Sequence, residues 1–122
     1  MHALIIDDSR SMRMIIGRII REIGFEITEA GDGQQALTRL EEGCKPDLIL
    51  VDWNMPEMNG YEFVQAVRAN PLYDASRIVM VTTESELGQI SKALDAGANE
   101  YVMKPFTADV IRDKLAILGI TL

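Results

Sequence analysis

The stretch Asp47-Leu48-Ile49-Leu50-Val51-Asp52-Trp53-Asn54-Met55-Pro56 opens with an unbroken apolar run and closes that run with an aspartate. A run so short and so continuous suits a strand covered on both faces, as in a parallel sheet. Similar runs stand at Ala3-Leu4-Ile5-Ile6, Arg77-Ile78-Val79-Met80-Val81 and Tyr101-Val102-Met103, with a weaker one at Phe25 to Thr28. Asp47, at the start of its run after Pro46, reads as turn chemistry.

Amphipathic stretches separate the runs. Met12, Ile15, Ile16, Ile19, Ile20 and Ile23 follow helical spacing after Asp8-Ser9, either of which can cap the helix. Ala36, Leu37 and Leu40 form a second stripe ended by Gly43, and Phe63, Val64 and Val67 a third closed by Asn70-Pro71. Leu87, Ile90 and Leu94 predict a fourth helix with Gly97 beyond its end, and Val110, Ile111, Leu115 and Leu118 a fifth capped by Thr107. Five strand–helix repeats over residues 1–122 predict one α/β domain. Parallel neighbours need right-handed crossover helices, so the expected architecture is a doubly wound, flavodoxin-like (βα)5 three-layer sandwich of strand order 2-1-3-4-5.

The chain has 122 residues, 19 acidic against 12 basic side chains and a formal net charge of −7. That surface repels nucleic acid and anionic lipid and favours divalent cations and basic partner surfaces. The single Cys44 excludes an internal disulfide, and no apolar run reaches the length of a membrane span, which makes the cytoplasm the expected address. His2, the only histidine, reads as the start of the first strand.

In such a fold the functional crevice lies outside the carboxyl ends of the strands. Asp7 and Asp8 directly follow the first run, Asp52 the third, Thr82 the fourth and Lys104-Pro105 the fifth. Three converging carboxylates raise one another's pKa unless a cation neutralises them, and magnesium, which takes one or two carboxylates plus water and phosphate oxygen, suits the set. A carboxylate can be the nucleophile that becomes an aspartyl phosphate, with Lys104 as a fixed positive charge for the phosphate. Taken singly, Asp8 is an ordinary cap, Thr82 a loop threonine and Lys104 a surface lysine. Their joint placement at one sheet edge favours the functional reading.

These residues resemble a bacterial response regulator receiver domain over essentially the whole chain. The resemblance is carried by Ile5-Ile6-Asp7-Asp8-Ser9, Val51-Asp52-Trp53-Asn54-Met55-Pro56-Glu57-Met58-Asn59-Gly60, Val81-Thr82, Ala96-Gly97-Ala98 and Tyr101-Val102-Met103-Lys104-Pro105-Phe106. The Asp-Trp-Asn-Met-Pro segment is similar to single-domain chemotaxis regulators of the CheY type. The resemblance implies that Asp52 accepts a phosphoryl group from a histidine kinase. It implies that Asp8, Asp52 and the Asn54 carbonyl bind Mg2+, with Asp7 contributing partly through water. Lys104 pairs with the phosphoryl group before a cis bond to Pro105, and Thr82 and Tyr101 form the switch pair.

Thr83 stands where the family usually has alanine or glycine, which narrows access, and Asn54 and Glu84 resemble members with a short-lived phosphoryl group. The fourth helix, fifth strand and fifth helix, including Glu86, Leu87, Gln89, Tyr101 and Lys114, are the implied surface for a downstream target, in a monomer. A phosphate sink or relay intermediate is the alternative within the family. An aspartyl-nucleophile phosphatase is disfavoured by Asn54 where a second acid is needed, and a flavin or nucleotide module by Asp7-Asp8-Ser9-Arg10 in place of a glycine-rich loop. The expected protein is therefore no enzyme beyond catalysing its own phosphorylation and dephosphorylation.

Overall fold

The computed structural model describes residues 1–120, the side chains of Glu84, Ser85 and Leu87 excepted. The element order is β1 (His2–Ile6), α1 (Arg10–Ile23), β2 (Glu26–Ala30), α2 (Gly33–Glu41), β3 (Leu48–Asp52) and α3 (Gly60–Arg68). After a 3-10 turn at Pro71–Tyr73 come β4 (Arg77–Thr82), a second 3-10 segment at Glu84–Gln89, α4 (Ile90–Ala96), β5 (Glu100–Met103) and α5 (Ala108–Ile117). The strands form one parallel sheet of order β2-β1-β3-β4-β5, as the repeats predict.

β3 shows why the central runs are continuously apolar. Leu48 and Leu50 pack with Ile16, Ile20, Ile111 and Leu115 of α1 and α5. Ile49 and Val51 pack with Leu40, Phe63, Val64 and Ile90 of α2, α3 and α4. Successive side chains of a strand point to opposite faces, so a strand between two helical layers needs apolar residues at every position. At the sheet's edge the demand relaxes. β2 begins at Glu26 rather than at Phe25 and is only partly covered, with Glu26 exposed and Ile27, Thr28 and Glu29 half-buried, which is why its run is weak, while Phe25 itself is buried at the end of α1.

The helix starts follow the capping chemistry. Ser9, not Asp8, caps α1 by accepting from the Met12 amide, and Thr107 caps α5 through the Val110 amide. Asn59 and Glu62 form a reciprocal capping box on α3. The fourth helix departs from expectation. Its first turns are 3-10, Gly88 falls inside them, Gln89 supplies no side-chain cap, and the α-helical part begins only at Ile90. Glycine is a poor helix former, which fits the late start. Ile90 and Ala93 are the buried face, whereas Leu94 is 39% exposed; the side chain of Leu87 lies outside the described residues.

At the far end of the sheet, Asp47 confirms its turn reading and does more. Its carboxylate accepts from the His2 amide at 2.8 Å, while its backbone exchanges hydrogen bonds with His2 and Arg77. That ties the starts of β1, β3 and β4 together and leaves the opposite edge for chemistry. Among the described residues no helix is long and apolar enough to cross a membrane.

Candidate functional site

Strand register assembles the site. Ile6 lies opposite Val51, so Asp7 and Asp52 emerge side by side from adjacent strands. Between these two strands the connections diverge, one towards β2 and the other towards β4, which makes this the topological switch point. Asp52 is opposite Val81, placing Thr82 one step beyond it, and Thr82 is opposite Met103, placing Lys104 one step beyond that.

Lys104 closes the arrangement. Its Nζ lies 3.1 Å from Asp7 Oδ2 and 3.2 Å from Asp52 Oδ1, and its amide donates to the Thr82 carbonyl. The Lys104–Pro105 peptide bond is cis, as the resemblance implies. The other oxygen of Asp7 accepts from the Ser9 amide at 2.9 Å, and Arg13 donates to the Asp7 carbonyl at 2.7 Å. Asp7 and Asp52 are buried and Asp8 is exposed at the rim.

Burial pushes the Asp52 carboxyl up to about 6; Lys104 opposes that rise, while Asp7 and Glu86 add to it. Burial also works against the charge of Lys104, but Asp52 and Asp7 outweigh it and hold its pKa above the ordinary value. Asp7, Asp8 and Asp52 each offer a carboxylate oxygen, all within 4.8 Å of one another. One lysine cannot neutralise three carboxylates. Hard oxygen donors at this spacing, two of them sheltered from water, can bind a metal ion.

The cleft has a volume of about 480 Å³. Trp53, Asn54, Thr83, Glu86 and Gln89 complete its wall around the acidic set and Lys104. Thr83 therefore borders the cleft, where the sequence reading puts it; the Glu84 side chain lies outside the described residues. Thr82 is fully buried, and its hydroxyl faces the Thr83 carbonyl at 3.2 Å and Glu86 at 3.5 Å. Tyr101 is half-buried, with the Lys114 ammonium 4.6 Å from its ring centroid and that ammonium also paired with Glu100.

Glu86 and Gln89, which the resemblance implies for the partner surface, also line the acidic cleft, a position the sequence reading did not give them. Glu86 Oε1 accepts from the Thr83 amide at 3.0 Å and the Thr83 hydroxyl at 2.8 Å, which turns it back towards the end of β4. The signal was present: Thr83-x-x-Glu86 has the spacing of a capping box.

A sequence model of the response regulator receiver domain matches residues 3–116. The chain is 40% identical over 119 residues to chemotaxis protein CheY1 of Helicobacter pylori, covering 97% of this chain and 96% of that protein. It is 45% identical over 116 residues to chemotaxis protein CheY of Pseudomonas aeruginosa, covering 94% and 93%. Among solved structures, Vibrio cholerae CheY4 superposes with a TM-score of 0.86 at 34% identity, covering 95% of this chain and 96% of that one. The receiver domain of a Pseudomonas aeruginosa sensor histidine kinase, solved with magnesium coordinated in its active site cleft, gives 0.83 at 28% identity and 98% coverage of both chains.

Proposed function

The chain belongs to the response regulator receiver domain family, and on that premise we propose that it is a chemotaxis-type switch phosphorylated on Asp52. The observation that carries this reading is Lys104 bridging Asp7 and Asp52 inside a cluster of three carboxylates. The Asp52 oxygen forms a bond to phosphorus as the donor's phosphorus–nitrogen bond breaks, with the electron pair leaving on the histidine of a kinase. Asp52 must be ionised to attack. A pKa of about 6 leaves it largely so at neutral pH.

Asp7, Asp8, Asp52 and the Asn54 carbonyl would hold Mg2+, which when bound neutralises the charge on the transferring phosphoryl oxygens. Lys104 stays beside Asp52 as a second cation for the same oxygens. Thr82 reaches the new phosphoryl group only by giving up its present contacts with Thr83 and Glu86. That exchange pulls on the end of β4. Tyr101, one strand away, lies on the route from that movement to the surface of α4, β5 and α5. Leu94, Met103 and Val110, each about two-fifths exposed, give that surface an apolar component for a downstream protein. The relatives named as chemotaxis proteins support chemotaxis as the process it serves.

Incubation with a small phosphodonor and magnesium tests the acceptor, with intact-mass measurement as readout. One phosphoryl group should appear on the wild type and none on Asp52→Asn or without metal. Equal labelling of Asp52→Asn would overturn the assignment.

A further inference from the structure

We propose that Glu86 is a charge-gated latch on the cleft: its carboxylate holds the corner of Thr82 and Thr83 while Asp52 is unmodified, and is driven off when Asp52 carries a phosphoryl group. The inference rests on the acceptor role given to Asp52 above.

A single oxygen, Oε1 of Glu86, faces three donors. They are the Thr83 amide at 3.0 Å, the Thr83 hydroxyl at 2.8 Å and the Thr82 hydroxyl at 3.5 Å. The first two make a capping arrangement that a purely structural glutamate would also make. What sets Glu86 apart is where its charge sits. It borders the same cleft as Asp7, Asp8, Asp52 and Lys104, so four carboxylates and one ammonium share that space. Its field reaches the acceptor, since it is one of the charges that raise the Asp52 pKa.

A phosphoryl group adds roughly two negative charges and three strong acceptor oxygens. Like charges in a sheltered cleft repel one another far more than in bulk water. The new oxygens also compete for the Thr82 hydroxyl, the weakest of the three contacts of Glu86. Both effects push the carboxylate outward. Thr83 then loses Glu86 as acceptor for its amide and hydroxyl, and the 3-10 segment Glu84–Gln89 keeps the backbone bond from the Glu86 amide to the Thr83 carbonyl but loses the side-chain contacts that reinforce it. That segment leads straight into α4, so local charge becomes movement of the partner surface.

Beryllofluoride, an anionic mimic of the phosphoryl group, tests this with magnesium present and Trp53 emission as the readout. In Glu86→Gln the amide oxygen still accepts from Thr83, but the charge is gone. At low ionic strength this variant should bind the mimic about three- to tenfold more tightly than the wild type, and about 1 M salt should trim that gain only in part. If Glu86 acted only as a cap, Glu86→Gln would match the wild type and only Glu86→Ala would differ, and the latch would be wrong. A wild type that ignores beryllofluoride sinks the acceptor reading and this inference with it; a responding wild type matched by Glu86→Gln sinks the latch alone.

Discussion

Lys104 and Asp52, 52 residues apart in sequence, form a 3.2 Å ion pair whose side chains are only 18% and 8% exposed. Even so, the pairing does not hold the aspartate in the usual carboxylate range, because burial raises its pKa more than the lysine lowers it. The acceptor is kept at a cost to stability.

A carboxyl whose folded pKa is about 6, against an ordinary 3.8, destabilises the folded state once pH exceeds both values. Asp52→Asn should therefore raise stability at pH 7.5 in the absence of metal by about 1–2 kcal/mol. The sign fixes the pH dependence. As pH falls from about 6 to about 4, Asp52 takes up a proton in the folded protein and the advantage of the variant shrinks. Urea unfolding at both ends of that interval measures it, and equal stabilities at pH 7.5 would contradict the burial argument.

Removing the cation has the opposite effect. Lys104→Met leaves Asp7 and Asp52 facing each other with no ammonium between them. Breaking a largely buried pair is costly, and with the residual exposure of Lys104 a loss of about 1–3 kcal/mol is expected at pH 7.5. Acid or magnesium should restore part of it, because each neutralises the carboxylates. A loss unaffected by either would show that the lysine stem, not its charge, supplies the stability.

Gly60 makes the turn after the acceptor possible. A methyl group there would lie 2.6 Å from the Asp52 carbonyl oxygen and 3.1 Å from the Trp53 Cα, neither of which can move without shifting the end of β3. Gly60→Ala should cost about 1–3 kcal/mol and weaken metal binding together with stability. Gly88→Ala is the control, since nothing lies within 4 Å of its added carbon, and it should be neutral or slightly stabilising. Thermal unfolding of the two variants separates crowding from loss of glycine as such.

Most of the fold was legible because a two-sided sheet leaves a plain signature. Residues 48–51 are apolar at every position, and no other arrangement in a small domain asks that of a strand so consistently. The edge strand β2 was harder to delimit, because its side chains are only partly covered and its pattern thins to Glu26-Ile27-Thr28-Glu29-Ala30. The site was legible for the same reason as the fold. Once five strands run parallel, residues that follow them share an edge, and Asp7, Asp52, Thr82 and Lys104 needed no further information to be brought together. The cleft contact of Glu86 was not foreseen because it depends on side-chain direction in a 3-10 segment, where helical spacing no longer tells which face a residue takes.

Arg68 shows how a residue remote from the carboxylates supports the same architecture. Its guanidinium donates to the carbonyls of Gly97, Tyr73 and Ser76 and to the Asn99 side chain, all at 2.8 or 2.9 Å. It thereby fastens the end of α3 to the end of α4 and to the start of β4, while Asn99 in turn accepts from the Ile78 amide. A planar fork with five donors can serve four acceptors at once, and an ammonium cannot. Arg68→Lys should thus recover little of what Arg68→Ala loses, about 2–4 kcal/mol by the usual cost of orphaning several partly buried carbonyls. Urea unfolding of the two variants, with amide hydrogen exchange at Ile78 and Ala98, measures this. If lysine restored the wild-type stability, the fork geometry would have no part in holding α3, α4 and β4 together.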